Sequence, residues 1–236
     1  MGHGEHFHWF QLVPGLEHVP HHISSGIAVV LLLVISSFIA RMILNSQQLE
    51  KAIVPSEKLN FVGFFDVVVE ALYKLAEGLL GKDAKHYLPL IGAVFLFVFV
   101  NNLFGMIPGF LPATDNVNTT LAIGLFVFVY YNYQGVKHGG LAYLKHFLGP
   151  AWYLAWLILP IETISHVVRP FTLALRLRGN ITGDHTVLTV FTEMVPYGVP
   201  VAAYILGLMV CFIQAFIFTM LTLVYLSMAK EAAHHH

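Results

Sequence analysis

Two long, mostly apolar stretches, Ala151 to Val195 and Pro200 to Ala229, dominate the C-terminal third of the chain. The first of them carries Glu162, Arg169, Arg176, Arg178, Asp184 and Glu193. A helix needs about 20 mainly apolar residues to cross the hydrocarbon core of a bilayer. At about 1.5 Å per residue the first stretch reaches roughly 65 Å, against a core about 30 Å thick. It must tilt steeply, break at Pro160, Pro170 or Gly179, or do both. Pro196, Gly198 and Pro200 mark the turn between the stretches, so residues 151–229 read as a long tilted helical hairpin. Composition agrees with a membrane setting. Of 236 residues, 57% are hydrophobic and 11% charged, where a soluble domain carries about 25% charged residues. That excludes a soluble enzyme, a disordered regulator and a nucleic-acid binder. The formal charge of −1 points to no polyanion, and the single cysteine, Cys211, excludes an internal disulfide framework and a Cys-based zinc site.

The expected fold is an all-α polytopic membrane protein with five transmembrane segments and an interfacial amphipathic helix, forming one membrane domain. Residues 1–22 form an extracytoplasmic segment. The first span is 23–44; without a basic start or a cleavage site it reads as retained. In residues 59–80, Asp66, Glu70, Lys74 and Glu77 follow steps of four, four and three along one helical stripe, and the rest of the surface is apolar. That pattern fits a helix lying in the interface, with Glu70 and Lys74 a favourable i,i+4 pair. The second span is 88–110, interrupted by Asn101-Asn102, and the third is 118–135. No internal repeat of the secondary-transporter kind is present. With the N-terminus outside, Arg41, Lys51, Lys58, Lys74, Lys82, Lys85, Lys137, Lys145 and Lys230 all fall on the cytoplasmic side, and the other three cations lie inside the fourth membrane segment. This satisfies the positive-inside rule.

Each charge at the middle of a membrane helix costs about 2.5–3.5 kcal/mol on insertion scales. The cluster in 151–195 therefore calls for mutual structural pairing or for a function. Glu162, Arg169 and Arg176 are seven apart and share a helical face, with Thr172 and Asn180 flanking Arg176. Arg178 and His185, also seven apart, point roughly the opposite way. An unbroken helix thus has two polar faces, one for a partner and one for a hydrated cavity. In the last helix Gln214 and Tyr225 share a face with Gly207, Cys211 and Phe218; a buried Gln there serves either as interhelical glue or as part of a polar pathway.

At these residues the sequence resembles subunit a of the F-type ATP synthase. The strongest matches are Leu-Arg-Leu-Arg-Gly-Asn at 175–180, close to the family's Leu-Arg-Leu-Phe-Gly-Asn, and the run from Gln214-Ala-Phe-Ile-Phe through Leu-Thr-Leu-Val-Tyr-Leu-Ser-Met-Ala229. Val54-Pro-Ser, Asn101-Asn-Leu-Phe-Gly-Met-Ile-Pro108 and Asp115-Asn-Val-Asn-Thr-Thr120 add weaker support. The resemblance implies that Arg176 is the family's essential arginine and that Asn180 and Gln214 are its polar neighbours. It places Glu162 with Ser165 at the acidic site near the cytoplasmic half-channel, and His185 in the outer one. It places Asp115 and Tyr225 near the aqueous entrances. Two departures stand out. Arg178 replaces the usual Phe, and Gly207 sits where some members pair an acidic or His residue with position 185, leaving Asp184 or Glu193 as partners for His185.

The resemblance further implies a ring of c subunits with one mid-membrane carboxyl each, peripheral-stalk b subunits, the rest of the complex and membrane lipid as partners, with no nucleic acid. It implies a bacterial inner membrane, no cofactor and no catalysis of ATP chemistry by this chain alone. The competing reading is a stand-alone secondary transporter or channel whose arginines bind an anionic solute. A metal-binding reading of His3, His6, His8, His18, His21 and His22 lacks regular ligand spacing, and no metal site is assigned.

Overall fold

The structure is a computed structural model. It describes the backbone of residues 20–46, 61–107, 110, 112–146, 155–194 and 198–234, and every described element is helical. In chain order these are α1 (His21–Ser46), α2 (Phe61–Leu80), a 3-10 turn (Gly81–Asp83), α3 (Ala84–Gly105), a second 3-10 turn (Ala113–Asp115), α4 (Val117–His146), α5 (Ala155–Met194) and α6 (Val199–His234). Of the expected extracytoplasmic segment 1–22, residues 1–19 lie outside the described residues, and His21 and His22 belong to α1.

Three stretches among the described residues are long and apolar enough to cross a membrane: His21–Ile43, Gly63–Gly105 and Val201–Lys230. The second takes in α2 as well as α3. On α2, Asp66, Glu70, Lys74 and Glu77 are exposed while Leu72, Ala76 and Leu80 are buried. The charge stripe therefore faces away from the bundle, and Lys74 Nζ sits 2.7 Å from Glu70 Oε1. The helix that carries 118–135 runs on to His146, with a non-helical Gly140 at φ 50° and ψ −129°. α5 is continuous over 40 residues with Pro160 and Pro170 inside it, about 60 Å of helix at the usual rise. The helix therefore does not break at Pro160, Pro170 or Gly179.

The core is shared by five helices. Leu72, Ala76 and Leu80 of α2 meet Ile91, Phe95 and Val98 of α3, Val127 and Tyr131 of α4, Leu177 and Ile181 of α5, and Phe218, Leu223 and Leu226 of α6. Lipid tails are as apolar as Leu, so association relies on close packing and small residues. Gly124 of α4 is such a position, since a Cβ there would lie 3.1 Å from the Pro170 carbonyl oxygen of α5. α1 stands at the margin, with Leu31, Val34, Ile35, Phe38 and Met42 exposed. The two ends of the bundle are tied differently. At one, Lys230 Nζ of α6 reaches Asp83 Oδ2 at 2.5 Å and the Leu80 carbonyl at 3.0 Å. At the other, the Ala113–Asp115 turn closes over a buried hydrogen bond from Thr114 Oγ1 to Asn102 Oδ1, 3.3 Å.

Candidate functional site

Among the α5 residues whose side chains are described, the buried ones are Pro170, Ala174, Leu177 and Ile181, stepping by four, three and four. That spacing is one stripe of a 3.6-residue helix, and it decides where the charges go. Arg176 and Arg178 flank buried Leu177, so each is turned away from the bundle core, and both are exposed, as is Leu175. The two guanidinium groups leave the helix roughly 200° apart. Asn180, one turn beyond Arg176, is half-buried. Among the described residues the ion pairs are Glu70–Lys74 and Asp83–Lys230, so no described carboxylate neutralises Arg176.

α6 repeats the logic. Gly207, Cys211, Ala215, Phe218, Thr222 and Leu226 are buried, and Gln214 and Tyr225 sit half-buried at one flank of that stripe. Ile205, Leu208, Phe212 and Phe216 are exposed. Arg176, Asn180 and Gln214 make no direct hydrogen bond to one another among the described residues. The exposed sides of α5 and α6 are thus largely apolar and carry two arginines, Arg176 and Arg178, with the half-buried amides of Asn180 and Gln214 at their margin.

Arg169 is different. It is half-buried, and its guanidinium carbon lies 4.9 Å over the ring of Tyr225, within the range of a cation–π contact. Tyr225 in turn packs against Tyr131 of α4, which is 2% exposed, with the ring centroids 5.3 Å apart and the rings tilted by 37°. One ring therefore joins α4, α5 and α6. Arg169 and Tyr225 were expected separately, the first on the helical face of Arg176 and the second near an entrance, and the structure brings them together.

Ser165 is exposed on α5. Glu162, Asp184, His185 and Glu193 also lie on α5, but their side chains fall outside the described residues, so their expected pairings do too. Asp115 is half-buried in the 3-10 turn, remote in sequence from the arginines. Beside it, Asn116 Nδ2 meets His22 Nδ1 at 3.2 Å. This pair, the Asn102–Thr114 pair and the Lys230–Asp83 clamp were not among the expected site residues. Only Asn101-Asn102, as a polar interruption of an apolar run, carried a local signal; the other contacts join residues far apart in the chain.

Known proteins of one family are similar to this chain over most of its length. A family model described as ATP synthase A chain matches residues 24–227. A curated relative from Bdellovibrio bacteriovorus, described as ATP synthase subunit a, is 48% identical over 232 residues, 98% of this chain and 99% of its own length. Similar matches come from the ATP synthase subunit a of Trichlorobacter lovleyi, 41% identical over 87% of this chain and 85% of the relative, and that of Geobacter sulfurreducens, 44% identical over 72% and 75%.

Proposed function

The chain belongs to the ATP synthase subunit a family, and from that premise we infer how its residues move protons. It is the proton-translocating stator subunit of an F-type ATP synthase, a component of that complex in a bacterial membrane. A transporter acting alone is not favoured by this membership.

Our reading assigns the exposed side of α5 and α6 to a rotating ring of c subunits, each with a carboxyl at mid-membrane. Such a carboxyl faces lipid only when protonated, because desolvation disfavours its charged form. A cation within about 4–6 Å lowers a carboxyl pKa by about 1–3, so the proton leaves as the carboxyl reaches Arg176. Arginine keeps its charge because its pKa exceeds about 12; it therefore neither relays the proton nor lets it bypass the ring. Two offset half-channels serve the site from opposite sides. Glu162, Ser165 and Tyr225 belong to the cytoplasmic one, and Asp115 and His185, with Asp184 or Glu193, to the outer one. Asn180 and Gln214 line the polar zone beside Arg176. The imidazole of His185 suits uptake and release, since histidine titrates near neutral pH.

In this reading the chain has five spans, formed by α1, α3, α4 and the tilted pair α5 and α6, with α2 in the interface. Its N-terminus faces outside and its C-terminus the cytoplasm of a bacterial inner membrane. Peripheral-stalk b subunits hold it, and ATP chemistry resides in other subunits.

The observation that carries the proposal is an exposed guanidinium on an apolar membrane helix, with no described carboxylate of its own chain beside it. Arg176→Ala should abolish ATP-driven proton pumping by the reconstituted complex in vesicles. Normal coupled pumping in that variant refutes the assignment.

A further inference from the structure

Asn116 opens α4 in an extended conformation, φ −88° and ψ 129°. Its Oδ1 accepts the Asn118 backbone N–H at 2.9 Å, the bond an N-cap residue makes with its helix. That duty fixes the amide: with the oxygen committed to the cap, the group facing His22 Nδ1 at 3.2 Å is the Nδ2 donor. A donor there requires a lone pair on Nδ1, so the bound imidazole is neutral, with its proton on Nε2. Protonation of Nδ1 sets one N–H against another and ends the bond.

We propose that His22 is a positioning residue for proton entry, acting through Asn116 as a latch that opens when His22 takes up a proton. The step is simple: Nδ1 gains one proton from water at this end of the bundle, imidazole becomes imidazolium, and the reverse step returns it. The proposal rests on the reading of the Asp115 turn as the outer entrance, and it says what governs that entrance.

The groups around His22 fit such a switch. On α1 itself His21 lies edge-on at 5.7 Å between ring centroids. The turn packed against α1 contributes Asp115, and the start of α4 only uncharged Asn116 and Asn118. α2 and α3 also pack on α1, but their ionisable residues, from Asp66 to Tyr87, sit toward the opposite end, that of the Lys230 clamp. Behind the turn, Thr114 is 0% and Asn102 3% exposed. Releasing the turn admits water to this pair, so acid on this side opens a polar route inward. A neutral hydrogen bond of this kind changes the latch equilibrium by roughly 2- to 12-fold.

The test uses the intact complex in liposomes, with passive proton uptake measured while the pH on the His22 side is varied between about 5 and 8, where imidazole titrates. The parent's uptake should rise on acidification by an extra factor of roughly 2 to 12 over proton concentration alone. His22→Gln should lose that extra factor. Asn116→Asp, whose carboxylate accepts from the protonated Nδ1, should keep the latch shut on acidification and abolish or reverse the step. A weld supplies the second arm. An ideal Cβ on Gly26 would lie 3.5 Å from Ala113 Cβ, inside the range for a disulfide. Gly26→Cys with Ala113→Cys should show a flat response when oxidised and the parent's step when reduced. An unchanged step in His22→Gln overturns the proposal, as does a step that survives oxidation of the weld. Asp115→Asn with full uptake but an intact His22 step would sink the entrance reading alone and leave the latch standing.

Discussion

The contact of Arg169 with Tyr225 allows a quantitative test of how the three C-terminal helices are held. The guanidinium lies 4.9 Å from the ring centroid, and both residues are half-buried. Cation–π contacts are worth about 0.5–1 kcal/mol when exposed and about 2 when desolvated, so this one should contribute about 1–2 kcal/mol. The same ring packs against Tyr131 at 5.3 Å, tilted by 37°, which adds about 0.5–1.5 kcal/mol. Tyr225→Leu removes both contacts and should destabilise by about 1.5–3.5 kcal/mol. Tyr225→Phe keeps the ring and should cost less than about 0.5 kcal/mol. Arg169→Gln should cost about 1–2 kcal/mol, and the cycle of Arg169→Gln with Tyr225→Leu should give a coupling of the same size. Equilibrium unfolding of the purified subunit in mixed micelles, titrated with SDS and followed by near-UV circular dichroism, measures the parent and all four variants. A coupling below about 0.3 kcal/mol, or a Phe variant as unstable as the Leu variant, would show that the ring does not carry the junction.

Three further outcomes follow from the packing. Lys230→Met removes a cation shared by Asp83 and the Leu80 carbonyl; because Asp83 is 53% exposed, the loss should be about 1–2 kcal/mol in the same titration. Gly124→Val puts side-chain bulk against the Pro170 carbonyl and should destabilise by about 1–3 kcal/mol, whereas a substitution at open Gly92 should not. Arg178→Phe should keep ATP-driven pumping within about two-fold while raising the yield of folded subunit, because it removes an exposed membrane charge worth about 2.5–3.5 kcal/mol; abolished pumping would place Arg178 in the proton path.

What the sequence made legible is what local spacing controls. The stripe Asp66, Glu70, Lys74 and Glu77 is readable because charges recur at helical steps, and in the structure it faces away from the core. The relation of Arg176 to Arg178 follows from two residues of helix, which turn them to opposite flanks of Leu177. Contacts that join distant segments left no such trace. His22 and Asn116 are 94 positions apart, and nothing in a His-rich N-terminus says which ring meets a helix cap. Lys230 reads as a cytoplasmic cation, yet its bonds to Asp83 and Leu80 depend on where α6 ends beside α2, which is a matter of tertiary packing. Arg169 showed only that it shares a helical face with Glu162 and Arg176, because the contact of its half-buried guanidinium with an aromatic ring requires both helices at once. The three plainly apolar stretches lie on α1, on α2 with α3, and on α6, whereas α4 and α5 carry more polar residues.

The central claim concerns what stands opposite Arg176 in the assembled machine, and a density map of the intact complex measures it directly. The account predicts the Arg176 guanidinium facing a c-subunit carboxylate across a gap of about 4–6 Å, with Leu175 and Phe212 against the ring. A guanidinium facing lipid, or locked to a carboxylate of its own chain, would contradict it.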